Sequence, residues 1–152
     1  MKSTREHIDI KKFLPHRKPM LMVGELLHID DNTVTTTFHI SKDCIFINDN
    51  ILTESGLIEN AAQACSAIVG QSYFAIDDLE GEGNKLVGYI SAIKKVEIFK
   101  LPKIGETIST KAQLLSRIDS GSMTICSMEC TTFINTELIV ACTLNFLIQE
   151  VR

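Results

Sequence analysis

No C-x-x-C pair occurs in this chain, and its five cysteines (Cys44, Cys65, Cys126, Cys130 and Cys142) are odd in number. Neither a disulfide framework nor a cysteine zinc site is signalled. Cys126 and Cys130 fall on one predicted strand, roughly 13 Å apart at strand rise, too far to bridge. Free thiols in a reducing, cytoplasmic setting are therefore expected. No run is long and apolar enough to span a membrane, and the opening Met1-Lys-Ser-Thr-Arg-Glu-His-Ile8 lacks the apolar core of a signal peptide. A basic excess is missing too. The net charge is -4, which argues against a general nucleic-acid binder. Internal repeats, low-complexity segments and any sign of a second domain are also absent. The 152 residues are read as one domain, 1–152, long enough for a real core. No metal or redox cofactor is implied.

What the chain does have is an unusual helix, predicted from about Thr53 to Phe74. It is apolar or small almost all the way round: Ala61, Ala62, Ala64, Cys65, Ala67 and Val69 leave no broad charged face. Such a helix is buried. Its small residues, Gly56 and Gly70 among them, imply that other backbone comes close. Glu59, Gln63, Ser66 and Gly70 follow at i, i+4, i+7 and i+11 and so share one face. A carboxylate on a buried helix is costly unless it has partners or a job.

Around this helix the pattern is β. Ile8–Leu14 predicts a short amphipathic helix, and Pro15 and Pro19 bracket a loop. Strands are predicted over Met20–Ile29 and Thr33–Ile40, joined by the turn Asp30-Asp31-Asn32. Ser41–Leu52 reads as irregular and Asp77–Lys85 as a polar loop. Leu86–Leu101 reads as a long strand whose alternation slips at Lys94-Lys95, where a bulge is expected. Pro102–Glu106 is a turn. Thr107–Ile118 and Ser122–Ile134 flank a hairpin turn, Asp119-Ser120-Gly121. After Asn135-Thr136, the last strand places Leu138, Val140, Cys142, Leu144, Phe146 and Ile148 on one face. The expected class is α+β: a long central helix wrapped by a curved antiparallel sheet of about five to six strands. One side of the helix meets its own sheet. The other needs cover, for which a second subunit, and hence a homodimer or higher homo-oligomer, is the natural candidate.

Three segments carry a resemblance. Leu14-Pro15-His16-Arg17-Lys18-Pro19-Met20-Leu21-Met22-Val23 is similar to a Leu-Pro-His-Arg-x-Pro opening. Ile58-Glu59-Asn60-Ala61-Ala62-Gln63 is similar to a helix signature of Glu, small residues, then Gln. Phe99-Lys100-Leu101-Pro102 resembles a Phe-Lys-x-Pro turn. In this order they resemble the FabZ-like 3-hydroxyacyl-acyl-carrier-protein dehydratases of the hot-dog fold. The family's catalytic histidine loop, of Gly-His-Phe-Pro-Gly type, has as its counterpart Cys44-Ile-Phe-Ile-Asn-Asp-Asn-Ile-Leu52, which contains no His. That departure resembles a divergent, ApeP-like branch associated with aryl-polyene pigment clusters.

The resemblance implies removal of water from a 3-hydroxyacyl thioester on an acyl carrier protein or coenzyme A, in fatty-acid or polyene synthesis. Such a reaction needs a base for the Cα proton and an acid for the leaving hydroxyl. A carboxyl kept protonated by burial suits the acid, which falls to Glu59, with Gln63 orienting it. The base is open. Asp49 lies on the equivalent loop, and His39 stands near a strand end, where an exposed position is favoured. His16 is expected to be structural, bonding backbone around the Pro-flanked loop; His7 and His28 are expected at the surface. Backbone N–H groups of Ser55, Gly56 and Leu57 at the helix start are candidate donors to a thioester carbonyl. Arg17, Lys18, Lys94, Lys95, Lys100 and Lys103 read either as a docking patch for an acidic carrier or pantetheine phosphate, or as a solvated edge. A hot-dog thioesterase using Glu59 and Gln63 is the alternative activity. A non-catalytic dehydratase partner is the alternative role.

Overall fold

The computed structural model describes residues 8–71 and 85–151. Ile8–Leu14 forms only one 3-10 turn, Ile10–Lys12, capped by the Asp9 carboxylate on the Lys11 N–H at 3.0 Å. Ile8 instead bridges to Leu26. The first hairpin is β1 (Glu25–Ile29) and β2 (Thr33–His39). Its turn is built by Asp30, whose carboxylate accepts from the N–H groups of Asn32 and Thr33 at 2.8 and 2.7 Å. The strand expected from Met20 begins at Glu25, because the backbone of Met20 and Met22 is taken by helix side chains. Gln63 bonds the Met20 carbonyl and the Met22 N–H, and Asn60 bonds the Met22 carbonyl.

Ser41–Leu52, expected irregular, contains a two-stranded hairpin, β3 (Ile47–Asn48) and β4 (Ile51–Leu52). Asp49 and Asn50 between them have φ of 49° and 63°, a left-handed pair that tightens a two-residue turn. Helix α1 runs Glu54–Gly70. The Thr53 hydroxyl caps it by accepting from the Gly56 N–H, and the Gln71 amide bonds the Ile68 carbonyl at the other end. The expected helical residues 72–74, residues 77–84 of the expected polar loop and His7 lie outside the described residues.

Four long strands follow: β5 (Lys85–Ile98), β6 (Thr107–Ser120), β7 (Met123–Ile134) and β8 (Glu137–Val151). Register shifts between Ile90 and Ala92 and between Ile93 and Lys95 place the slip where the alternation of Lys94-Lys95 predicts one. The sheet is antiparallel, in the order β1-β2-β6-β7-β8-β5. Val140, Cys142, Leu144, Phe146 and Ile148 are buried as expected, but Leu138 is exposed and Ile139 is buried. A register slip between Thr132 and Phe133 shifts the alternation there.

The sheet wraps α1, from Gly56 and Leu57 to Gly70, as the hot-dog arrangement requires. Among the described residues no helix is long and apolar enough to cross a membrane. Asn60 ties helix to sheet. Its amide donates to the Met22 carbonyl at 2.7 Å, and its oxygen accepts from Thr110 Oγ1 at 2.8 Å, with Thr132 Oγ1 3.1 Å further on. All three side chains are fully buried. Asn60→Leu orphans the Met22 carbonyl and should cost about 1–3 kcal/mol in urea unfolding. A loss below about 0.5 kcal/mol would show that the network adds no net stability.

Candidate functional site

The face of α1 that carries Glu59, Gln63, Ser66 and Gly70 floors a cleft of about 500 Å³. Its walls are the loop Phe13–His16, the start of β5 from Val87 to Ile90, and Phe146 and Ile148 of β8. The helical spacing thus brings together the four residues it predicted. The volume is in the range of small-molecule sites, and apolar side chains dominate the walls.

Glu59 is half-buried rather than fully buried, because its side chain borders this cleft. Gln63 is fully buried and makes three bonds. Its oxygen accepts from the Met22 N–H at 2.7 Å, and its NH2 donates to the Met20 carbonyl and to Glu59 Oε1, both at 2.8 Å. The Met22 contact fixes the amide's orientation, so Glu59 Oε1 can only accept. A proton carried by Glu59 must sit on Oε2. Ser66 bonds back to the Ala62 carbonyl at 2.8 Å, an in-helix contact.

Other expected site residues lie elsewhere. Asp49 occupies the exposed turn of β3–β4 and does not line the cleft of its own chain. The Gly56 and Leu57 N–H groups are used by Thr53, as bonds to its hydroxyl at 3.4 Å and its carbonyl at 3.1 Å. Gly56 is packed between Leu52 and Phe46, and Ser55 is exposed; none of the three lines the cleft. His39 is exposed and contacts Thr107 Oγ1 at 3.1 Å, and His28 is exposed against Asp30 at 2.8 Å, both as expected.

His16 departs from expectation. The loop's backbone is held by Arg17, whose Nη1 donates to the Leu14 and His16 carbonyls at 2.9 Å each. The His16 ring lines the cleft, and its Nδ1 is closed to solvent without a hydrogen-bond partner among the described residues. Burial pulls its pKa below the usual histidine value, the Glu59 carboxylate acts in the opposite direction, and the Arg17 guanidinium adds to the fall. The Leu-Pro-His-Arg motif was the signal for this residue, but it did not say which of its two polar side chains would hold the loop.

The basic residues are partly spent within the chain: Lys95 pairs with Glu97 at 2.7 Å and Lys100 with Glu137 at 3.1 Å. Exposed pairs of this kind add little stability. Cys126, Cys130, Cys142 and Cys65 are buried free thiols, and burial pushes Cys126 up to about 11.

Several solved structures share this arrangement. The ApeI:P dehydratase heterocomplex from Xenorhabdus doucetiae is similar with a TM-score of 0.75 and 20% identity, covering 96% of this chain and 93% of that one. A sigma28-regulated virulence protein from Campylobacter jejuni is similar at 0.64 and 10% identity, covering 92% and 83%. A hypothetical thioesterase with coenzyme A from Streptococcus pneumoniae TIGR4 is similar at 0.59 and 12% identity, covering 84% and 87%. At such identities the likeness is one of fold. No curated protein matches the chain in sequence. The family model described as ApeP dehydratase matches residues 8–150, nearly the whole chain. With that match, on a hot-dog frame, the chain belongs to the ApeP-like dehydratase family.

Proposed function

We propose that this protein removes water from 3-hydroxyacyl thioesters, presented on an acyl carrier protein or coenzyme A, to give 2-enoyl thioesters. The observation that carries this reading is Glu59, a carboxyl held through one oxygen by Gln63 at the edge of a largely apolar cleft. The other oxygen can protonate a leaving hydroxyl, and the apolar walls suit an acyl chain. Membership of a dehydratase family supports the same chemistry.

We also infer that a second hot-dog chain, identical or different, completes the assembly. β5 lies at the sheet edge, and Tyr89, Ile90 and Ile93 on it are exposed. Among the described residues nothing pairs with the outer side of β5, and an edge strand with apolar side chains invites pairing. The heterocomplex among the similar structures is an example of two dehydratase chains together.

The test is intact-mass analysis of a 3-hydroxyacyl carrier protein after incubation with the full chain. Loss of one water is the expected result. Release of the acyl group would instead make it a thioesterase centred on Glu59. No change across acyl chains, with the chain alone, would leave it as a partner subunit that needs a second chain to act.

A further inference from the structure

We propose that His16 is the general base of the reaction, so that acid and base come from one chain and one cleft. This rests on the dehydratase reading and deepens it by naming the group that takes the Cα proton.

Among the described histidines only His16 lines the cleft that Glu59 borders. His28 and His39 are exposed and engaged elsewhere, with Asp30 and with Thr107. The ring is also free of structural duty. A buried histidine that serves packing normally has at least one ring nitrogen in a hydrogen bond, since an unmet polar atom is costly. The His16 Nδ1 makes no such bond among the described residues and is closed to solvent. Arg17 secures the loop's carbonyls in its place. The loop itself is anchored by Leu14, which is fully buried, and by Gly70 beneath Phe13. An imidazole whose Nδ1 has no partner among the described residues, on an anchored loop and sharing a cleft with a carboxyl, is an acid–base arrangement. Glu59, Arg17 and Tyr89 are the titratable groups around the ring, and burial pushes its pKa down, toward the neutral form that a base requires.

The step balances within these two groups. The neutral ring takes the proton from Cα, and the C–H electron pair forms the Cα–Cβ double bond. The Cβ–O bond breaks with its electrons going to oxygen. That oxygen takes the Glu59 Oε2 proton and leaves as water. Imidazolium and carboxylate remain, and transfer of one proton from ring to carboxylate through solvent restores the starting state.

The experiment compares the full-length protein with His16→Asn and His16→Gln, two uncharged replacements of which at least one should fold. Dehydration is measured across pH, and melting temperature reports folding. The expected result is a loss of about 10²–10⁴-fold in kcat with KM within about threefold. In the wild type, activity should fall toward acid as the ring gains its proton, and this acid limb should be absent from the residual activity of a folded variant. Full activity in a folded variant, or a retained acid limb, would overturn the proposal while the dehydratase reading stood. A wild type that dehydrates nothing would fail that reading, and the base with it.

Discussion

Glu59→Gln is expected to lower dehydration by about 10²–10⁴-fold and to leave the fold in place. The replacement is nearly isosteric. Its amide oxygen can still accept from the Gln63 Nε2 that now lies 2.8 Å from Glu59 Oε1, and Gln63 keeps its bonds to Met20 and Met22. What disappears is the group that can pass a proton at the second oxygen. The loss should therefore be in kcat, with the substrate's KM little changed, since an amide of the same size occupies the same wall of the cleft. Water loss read by mass gives the rate, and thermal unfolding gives the control. Unaltered turnover would remove Glu59 from the chemistry. A large fall in melting temperature would instead mean that the carboxyl helps hold Gln63 and, through it, the Met20–Met22 segment. Glu59→Asp separates these outcomes. It keeps a carboxyl but draws it back by one methylene, so activity should be lost through geometry although the functional group remains.

The parts of this site that obey a local period were legible in the chain. Glu59, Gln63, Ser66 and Gly70 repeat at helical spacing, and the face they define does floor the cleft. The long strands and the bulge at Lys94-Lys95 were legible for the same reason: alternation and its slip are local patterns. What faces the helix was not legible. The approach of Phe13–His16 and of Val87–Ile90 to one helix face is set by the sheet's order, which brings β5 beside β8 at its edge. Leu138 was misplaced because a single-residue slip opposite Thr132 and Phe133 inverts the faces, and no change in composition marks it. Asp49 was nominated by its place in a loop, yet Asp and Asn at 49 and 50 supply positive φ in a tight turn, a sufficient reason for their presence. His16 and Arg17 were both visible, but the loop-holding role expected of His16 belongs to Arg17. A guanidinium with several fixed donors can hold two carbonyls at once, which an imidazole cannot, and here Arg17 does so.

Gly70→Ala should destabilise the protein, against the usual direction for a helix. In an exposed helix, alanine is favoured over glycine by about 1 kcal/mol. Gly70, however, is fully buried at the last turn of α1, and a Cβ there would run into the carbonyl oxygen of Phe13. The obstacle is backbone, so no side-chain rotation relieves it. Either the loop Phe13–His16 lifts or the helix end shifts, and overpacking of this kind costs about 1–3 kcal/mol, more than the propensity gain. The consequence reaches the chemistry because Phe13, Leu14 and His16 all line the cleft over Gly70 and Glu59. A retreat of the loop by even a fraction of an ångström changes the spacing between ring and carboxyl. Activity should therefore fall under conditions where the variant is still fully folded, with kcat affected more than KM. Urea unfolding and steady-state kinetics on the same sample check both parts. Increased stability would mean that helix and loop are not in backbone contact at this point. Lowered stability with unaltered kcat would mean that the contact anchors the fold without setting the position of the His16 ring.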